Sequence, residues 1–308
     1  MIVIVCPGQG AQAPGFLSPW LELPSFRSSI ERMQAASGID LIKHGTESDA
    51  DTIRDTAIAQ PLIVGAGVAS VAQLFSDAGA KSGGIAGVSG HSVGEITAAV
   101  ISGVFTEEDG IKFVAERGRE MAKAAAIEKT SMAAVLGGDQ SEVEAKLASL
   151  ELEPANYNGG GQIVAAGSSA AIAALQAEPL TGTRVIPLQV AGAFHTRYMK
   201  PAVDSLRAYA NDLSVADPNI NLWSNNGGRQ ITNGKEFVDL LVNQVSSPVR
   251  WDLCMQSMVQ AGVTALIEVA PAGTLVSLAK RSMPGIETLA VKTPENIEQA
   301  LLLINNHS

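Results

Sequence analysis

The sequence predicts an α/β fold in which a mostly parallel sheet carries helices on both faces. Of the 308 residues, 46% are hydrophobic and 17% are charged, so the chain can bury a sizeable core. A continuous β-branched run at residues 2–5 is typical of a strand that is buried on both faces. From there to the C-terminus, short apolar strands alternate with helical patterns, which favours parallel strands joined by helical crossovers.

The elements of the first 126 residues follow from local patterns. The apolar spacing predicts helices at residues 25–33 and 57–78, and the second of these is apolar enough to lie against the core. Residues 85–88 predict a short buried strand, followed by a tight turn and a helix up to residue 100. Thr106 with the acidic residues after it predicts a helix start, and that helix extends to Ala125.

The pattern changes at residue 131, where short units alternate in the order β-α-β-β-α-β. The predicted strands are 132–136, 153–158, 162–166 and 185–189, and the predicted helices are 140–150 and 169–176. This order is that of a ferredoxin-like α+β unit. We therefore expect a large α/β domain formed by residues 1–126 and 193–308, with a small ferredoxin-like subdomain inserted at residues 127–192.

The remaining chain returns to the large domain. The predicted elements are a helix at 198–213, a strand at 219–223, helices at 235–245 and 251–260, a strand at 264–269, a helix at 275–281, a strand at 288–291 and a helix at 295–304. Strands that alternate with helices in this way predict a parallel sheet covered on both faces.

Composition excludes several classes of protein. The net charge of −10 argues against nucleic acid as the main partner. The N-terminal run is too short for a signal peptide, and no apolar run is expected to reach transmembrane length. The two cysteines, Cys6 and Cys254, suit a reducing cytoplasm and are expected to be small core residues. We expect a cytoplasmic monomer that does not bind membranes.

Residues 90–94 read Gly-His-Ser-Val-Gly, which is the G-x-S-x-G pattern of a nucleophile elbow. The glycines allow the chain to turn sharply between strand and helix, and the helix N-terminus offers N–H donors to an oxyanion beside Ser92. Glu95 falls in the first turn of that helix, where an acidic residue is favourable. The large domain is hydrolase-like in this respect. The alternative is an ordinary glycine-rich connection in which Ser92 is only a cap.

A serine nucleophile needs a base, and the chain has four histidines. His307 is expected to be loose near the terminus, and His44 is expected at the surface. His91 adjoins the nucleophile, but a neighbouring side chain in an elbow usually points away. His195 remains as the candidate base. It is followed by more than a hundred residues of regular structure, which fits poorly with an α/β-hydrolase, whose histidine comes near the end of the chain.

At this point the sequence resembles a known family, the malonyl-CoA:acyl carrier protein transacylases of fatty acid and polyketide synthesis. The resemblance covers nearly the whole chain, and the sequences of its motifs are similar to those of free-standing actinobacterial members. The motifs that carry it are GQGAQ at 8–12, GHSVGE at 90–95, Arg117 with Met121, NYN at 156–158 with GQ at 161–162, AFH at 193–195, and Gln244 ahead of PVRW at 248–251. Ser247 and Ala272 depart from the usual residues, and both lie outside the reacting groups.

The resemblance implies a ping-pong acyl transfer from malonyl-CoA to the phosphopantetheine thiol of an acyl carrier protein. Ser92 would form the malonyl ester and His195 would be its base, oriented by a backbone carbonyl in the segment of Gln244 rather than by a carboxylate. The backbone N–H groups of Val93 and Gln9 would hold the oxyanion. No metal and no cofactor is implied.

The resemblance also implies substrate-binding residues. Arg117 would pair with the malonyl carboxylate through its planar guanidinium, which a lysine cannot imitate. Met121 shares a helix face with Arg117, because the two residues are four apart. Phe194 would crowd a C2 branch and favour malonyl over methylmalonyl. Asn156 and Gln162 would line the entrance for the acyl group or CoA.

Carrier proteins of this kind are acidic, and so is this chain, so docking needs a local basic patch. By proximity to the motifs, the candidates are Arg197, Lys200, Arg250, Lys280 and Arg281, although most surface charges are only solvated.

Three other functions stay open at this point. The same elbow could serve a serine esterase or thioesterase, which would cleave small neutral esters and keep no lasting acyl-enzyme. The chain could be a malonyl transferase subunit of malonate decarboxylase, which the motifs do not distinguish. It could also be a scaffold without catalysis, although such a protein has no need of Ser92, His195 and Arg117 together.

Overall fold

The computed structural model describes residues 1–76 and 84–307. Within these residues, the chain forms eleven strands and twelve α-helices. The strands are β1 Ile2–Cys6, β2 Ile85–Gly90, β3 Thr130–Leu136, β4 Glu153–Gly159, β5 Gln162–Ser168, β6 Arg184–Leu188, β7 Asn221–Trp223, β8 Gln230–Ile231, β9 Val249–Arg250, β10 Ala265–Glu268 and β11 Glu287–Ala290. The helices are α1 Pro24–Ser37, α2 Leu41–Thr46, α3 Thr56–Ser76, α4 Gly94–Ile101, α5 Glu107–Ala125, α6 Gln140–Ser149, α7 Ser169–Ala177, α8 Lys200–Ala210, α9 Gly234–Gln244, α10 Trp251–Gln260, α11 Thr274–Ser282 and α12 Ile297–His307.

The large sheet has the strand order β11-β10-β1-β2-β7-β8. Its first five strands are parallel, and only the short β8 runs antiparallel to β7. All five residues of β1 are buried, as a central strand with helices on both faces requires. The predicted α/β fold with a mostly parallel sheet is confirmed.

The second sheet has the strand order β6-β3-β5-β4-β9. Its first four strands come from one stretch of chain and pair antiparallel, in the arrangement that a ferredoxin-like β-α-β-β-α-β unit adopts. The fifth strand, β9, comes from the C-terminal half and pairs parallel with β4. The ferredoxin-like part of the fold is confirmed, while the division of the chain at residues 127 and 192 stays a prediction.

Most predicted elements lie within a few residues of the observed ones. The helix predicted at 57–78 corresponds to α3, and its last two residues lie outside the described part of the chain. Sequence patterns did not predict α2, β8 or β9, because a single helical turn or a two-residue strand carries no measurable periodicity.

Helix α3 corrects the expectation that no apolar run reaches transmembrane length. The window Thr56–Phe75 is long and apolar enough to cross a membrane, but 83% of it is buried inside the protein. A core helix that packs on several neighbours has the same composition, since both environments exclude water. Helix α3 packs against α1, α4 and α5, so its apolar surface is covered by protein.

The expectation that His307 is loose was wrong. It is the last residue of α12, where Nδ1 lies 2.8 Å from Oγ1 of Thr264 and Nε2 lies 3.1 Å from Oε2 of Glu287. Cys6 and Cys254 are both fully buried, as expected of core residues, and burial raises the pKa of both thiols.

Candidate active site

The turn between β2 and α4 is held by contacts that only glycine permits. A Cβ atom on Gly90 would lie 2.0 Å from the carbonyl carbon of Gly94, and one on Gly94 would lie 2.1 Å from the backbone oxygen of Cys6. Ser92, between them, has a φ of 53°, a left-handed conformation that is unfavourable for a residue with a side chain. The predicted nucleophile elbow is therefore present, and the turn presents Ser92 at the C-terminal end of a central strand.

The hydroxyl of Ser92 lies 2.7 Å from Nε2 of His195. Nδ1 of His195 donates to the backbone oxygen of Gln244 at 2.8 Å, which assigns the remaining lone pair of the ring to Nε2. The backbone N–H of His195 donates to Val245 at 2.9 Å, and the residue has a φ of 63°. Two strained residues facing each other are typical of a functional site rather than of a connection.

His195 is nearly inaccessible to solvent, with an exposed fraction of 4%. Burial lowers the pKa of His195 to about 3, and the positive charge of Arg117 contributes to this shift. The imidazole is therefore neutral at pH 7, and its Nε2 can accept the proton of the Ser92 hydroxyl. A neutral, oriented histidine in contact with a serine is the arrangement that nucleophilic catalysis requires.

Two backbone amides beside Ser92 are free to bind an anion. The N–H groups of Val93 and Gln9 have no hydrogen-bond acceptor within residues 1–76 and 84–307. The N-terminal loop is held against the elbow, because the N–H of His91 donates to Cys6 at 3.0 Å. The amide of Ser92 itself is different, since it donates to Oδ1 of Asn225 at 2.8 Å. The two predicted oxyanion donors therefore remain available at the nucleophile.

Ser92 and His195 open into a cavity of about 270 Å³. Its walls come from the N-terminal loop, the elbow, α3, α5, α11 and the second sheet, so the cavity lies where the two sheets meet. Of the predicted binding residues, Gln9, Met121, Asn156, Gln162 and Phe194 line it.

Arg117 lies behind this wall, with an exposed fraction of 1%. Nη1 donates to Oε1 of Gln60 at 2.6 Å, and Nη2 donates to Oε1 of Gln244 at 2.8 Å. Nε is buried and has no hydrogen-bond partner within the described ranges. Burial lowers the pKa of Arg117 to about 10, so the guanidinium stays charged at pH 7. A buried cation with a vacant donor calls for an anion.

The expectation that His91 points away from the cavity was wrong. His91 is one of the residues that line it, and its Nε2 lies 2.9 Å from Oδ1 of Asn158 on β4. Its ring also packs edge-on against Trp251, with ring centroids 5.8 Å apart. Burial lowers the pKa of His91. The contact with Asn158 joins the elbow to the second sheet across the cavity.

Sequence analysis missed Gln60 and Asn225. Gln60 is a buried amide in the apolar helix α3, where a polar residue needs an explanation, and that signal could have found it. Asn225 follows β7 at the carboxyl end of the parallel sheet, the edge where ligands bind in open α/β folds. Its contacts with the elbow and with Glu95 could not be deduced from the pattern, because they join segments that are 130 or more residues apart.

Within the described residues, no group of three or more histidine, cysteine, aspartate or glutamate side chains is placed to hold a metal ion.

The sequence profile of the acyl transferase domain matches residues 3–298, which is nearly the whole chain. The fold and the contact between Ser92 and His195 are thus those of an acyltransferase.

Comparison with individual proteins shows to which family of acyltransferases the chain belongs. The chain is 46% identical over 303 residues to the malonyl CoA-acyl carrier protein transacylase of Mycobacterium bovis, with 97% of this chain and 99% of the relative covered. The crystal structure of MCAT from Mycobacterium tuberculosis superposes with a TM-score of 0.93 at 45% identity, covering 97% of this chain and 99% of the other. A malonyl-transacylase in complex with a type II PKS acyl-carrier protein has a TM-score of 0.91 at 26% identity, covering 98% and 99%. The chain belongs to the malonyl-CoA:acyl carrier protein transacylase family, as its motifs predicted.

Proposed function

We propose that the protein transfers the malonyl group of malonyl-CoA to the phosphopantetheine thiol of an acyl carrier protein, through a malonyl ester of Ser92. The observation that carries this proposal is the buried guanidinium of Arg117, whose Nε–H lacks a partner within the described residues, behind a cavity that holds Ser92 and His195. An enzyme for neutral acyl groups has no use for a buried cation at this place. A malonyl group carries the carboxylate that would satisfy it.

In the first half of the reaction, Oγ of Ser92 attacks the thioester carbonyl while Nε2 of His195 takes the hydroxyl proton. The tetrahedral oxyanion is held by the N–H groups of Val93 and Gln9, and one such donor is typically worth ~3–4 kcal/mol. The C–S bond then breaks, and the CoA thiolate leaves with the proton from His195. The product of this half is a malonyl ester on Ser92.

The second half runs the same steps with a different thiol. His195 takes the proton of the phosphopantetheine thiol, and the thiolate attacks the ester carbonyl. The C–O bond of the ester breaks, and Oγ of Ser92 recovers its proton from His195. A thioester is consumed and a thioester is formed, so the proposed reaction needs no metal or cofactor.

Arg117 selects the acyl group in this scheme. Its Nε–H and the second hydrogen of Nη2 form one edge of the guanidinium, which matches the two oxygens of a carboxylate. An acetyl group would leave this buried cation unpaired, so it should react more slowly. Phe194, with an exposed fraction of 5%, lies beside the base and would crowd a methyl branch at C2.

The acceptor is proposed to be an acyl carrier protein of fatty acid or polyketide synthesis, as in the relatives. We propose that the carrier protein docks on the basic residues that the sequence predicted. Arg197 pairs with Glu153 and Arg250 pairs with Asp252, whereas Arg281 donates to the cavity residue Gln162 at 3.0 Å. Lys200 and Lys280 are exposed. We further propose that the protein is a cytoplasmic monomer. Residues 1–126 and 193–308 would form its large domain, and residues 127–192 its small subdomain.

The proposal is tested by intact-protein mass spectrometry after brief mixing with malonyl-CoA, acetyl-CoA or methylmalonyl-CoA. We expect a malonyl adduct that is absent in Ser92→Ala and that a carrier protein bearing its phosphopantetheine arm removes. Arg117→Met should lose malonyl loading selectively, because the methionine fills similar space without the charge.

Two results would contradict the proposal. Steady release of free malonate without an adduct would indicate a serine thioesterase. The absence of both adduct and turnover would indicate a subunit that binds without catalysing.

A further inference from the structure

The carboxylate of Glu95 lies in the interior behind the elbow, where the proposed mechanism gives it no task. Its exposed fraction is 1%, although it stands in the first turn of α4, where the sequence indicated only that an acidic residue is favourable. Oε1 accepts a hydrogen bond from the backbone N–H of Asn225 at 2.6 Å, and Oε2 accepts one from Nε2 of Gln244. Burying a carboxyl group is costly even when two donors offset part of the cost, so its position implies a role.

The hydrogen-bond directions around Gln244 leave one consistent arrangement. An arginine can only donate, so the atom of Gln244 that faces Arg117 must be its oxygen. The NH₂ group of Gln244 must then face Glu95, which has to accept. On its other side, Glu95 faces a backbone N–H that cannot be reversed, so it must accept there too. A glutamate satisfies both contacts, and no neutral side chain of the same shape does.

We infer that Glu95 is a positioning residue that fixes the carboxamide of Gln244 and thereby holds Arg117 as a carboxylate receptor. This inference rests on the proposed malonyl transfer. The chain of contacts runs from Asn225 to Glu95, from Glu95 to Gln244 and from Gln244 to Arg117. When Glu95 is ionised, its charge also favours the charged form of Arg117. Specificity for an acidic acyl group therefore depends on a residue that does not touch the substrate.

The surroundings of Glu95 agree with this role. Burial raises the pKa of Glu95 to about 8, and the hydrogen bonds from Asn225, Ser224 and Gln244 together with the charge of Arg117 oppose that rise. A pKa of about 8 leaves Glu95 largely protonated at pH 7, and these contacts favour the ionised, doubly accepting form as the pH rises. Cys254 lies close enough to be affected by Glu95, but its raised pKa keeps it a neutral thiol, so Arg117 is the cation that acts on the carboxylate.

The test is Glu95→Gln, which keeps the shape and removes the second acceptor. The oxygen of the new glutamine must face the N–H of Asn225, so its NH₂ group meets the NH₂ group of Gln244. Nε2 of Gln244 also donates to the backbone oxygen of Ser92 and to Oδ1 of Asn225, each at 3.2 Å, and these contacts keep Gln244 from turning. The contact between the two NH₂ groups therefore opens, which disturbs the receptor. We expect kcat/KM for malonyl loading to fall at least tenfold, while hydrolysis of p-nitrophenyl acetate, which needs only the serine and histidine, changes less than threefold.

Controls separate this role from a loss of folding. Glu120→Gln alters another largely buried carboxylate, which pairs with Lys123 at 2.6 Å, and should leave both activities unchanged. Glu95→Asp keeps the double acceptor but withdraws it by one methylene, so its selectivity should lie between those of the wild type and Glu95→Gln. If Glu95→Gln does not fold, the ratio of malonyl loading to p-nitrophenyl acetate hydrolysis in Glu95→Asp should still fall at least threefold.

The outcomes are distinguishable. If the wild type forms no malonyl adduct, the proposed function fails. If the wild type loads malonyl and the folded Glu95→Gln variant keeps the same ratio of the two activities, or both activities fall together, the role of Glu95 is overturned. An unchanged ratio in Glu95→Asp overturns it equally when Glu95→Gln cannot be obtained.

Discussion

The backbone N–H of Ser92 donates to Oδ1 of Asn225 at 2.8 Å, so the nucleophile's own amide is turned away from the anion site. The same asparagine donates from Nδ2 to the backbone oxygen of Gly90 at 2.7 Å. One side chain thus ties both ends of the strained turn, and the open amides beside the serine are those of Val93 and Gln9. Asn225, two residues beyond the end of β7, therefore helps to hold Ser92 in its left-handed conformation.

Replacing Asn225 by leucine should therefore damage both stability and catalysis. The amide of Ser92 and the carbonyl of Gly90 would lose their partners, which costs about 1–3 kcal/mol for a buried group. A displaced nucleophile would slow malonyl loading by ~10- to 100-fold. Urea denaturation and stopped-flow loading measure the two effects. Asn226→Leu, at the exposed neighbouring position, is the control, and an equal loss in that variant would contradict the argument.

The acid side of the pH profile should depend on Arg117. In the wild type the pKa of His195 is about 3, so the base stays neutral and hydrolysis of p-nitrophenyl acetate should persist well below pH 6.5. Arg117→Met removes a positive charge that disfavours the imidazolium, so the pKa of His195 should rise and the acid limb should move to higher pH. Burial, the larger cause, remains, so the limb should stay below that of an exposed histidine. Superimposable profiles would show that the charge has no effect on the base.

The turn itself should not tolerate a methyl group. A Cβ atom on Gly94 would lie 2.1 Å from the backbone oxygen of Cys6, and rigid backbone cannot move aside cheaply. We expect Gly94→Ala to lower the free energy of unfolding by about 3 kcal/mol or more and to abolish loading. In Gly65→Ala the new atom meets only the ends of flexible side chains, Leu41 at 3.3 Å and Ile30 and Ile111 at 3.8 Å, so stability should change by less than about 1 kcal/mol. Equal effects of the two changes in denaturant titrations would refute this account.

The side chain of Phe194 in the cavity wall should limit the size of the acyl group that the enzyme accepts. Phe194→Ala removes a ring beside His195, so a methyl branch at C2 gains room and methylmalonyl loading should rise relative to malonyl loading. The ratio of the two adducts, measured by mass spectrometry in a competition experiment, reports this directly. Met132→Ala enlarges the same cavity from the second sheet. If that variant shifts the ratio as far, general enlargement explains the effect and Phe194 has no special position.

Several features of the molecule could be predicted from local sequence. The strand at residues 2–5, the elbow around Ser92 and the helix start at Thr106 each depend on residues close in the chain. Periodicity and glycine placement are sufficient there, because backbone conformation and neighbouring side chains decide the outcome. Elimination among the four histidines left His195 as the candidate base, and the resemblance to a known family then selected Arg117, which no local pattern could have paired with the serine.

The tertiary structure decided how these groups face one another. Local patterns suggested that His91 points away and that Glu95 is simply favourable in the first turn of its helix. His91 in fact lines the cavity, and Glu95 is buried behind the elbow. Gln60 was identified as part of the site only from the hydrogen bond that it accepts from Arg117 in the folded chain. The direction of a hydrogen bond and the burial of a charge depend on segments that meet only in the folded chain. The sequence by itself, with its resemblance to a known family, therefore determined the fold class, the nucleophile, its base and the candidate carboxylate partner Arg117. The burial of Glu95 and the contacts of Gln60 and Asn225 required the packing of distant elements.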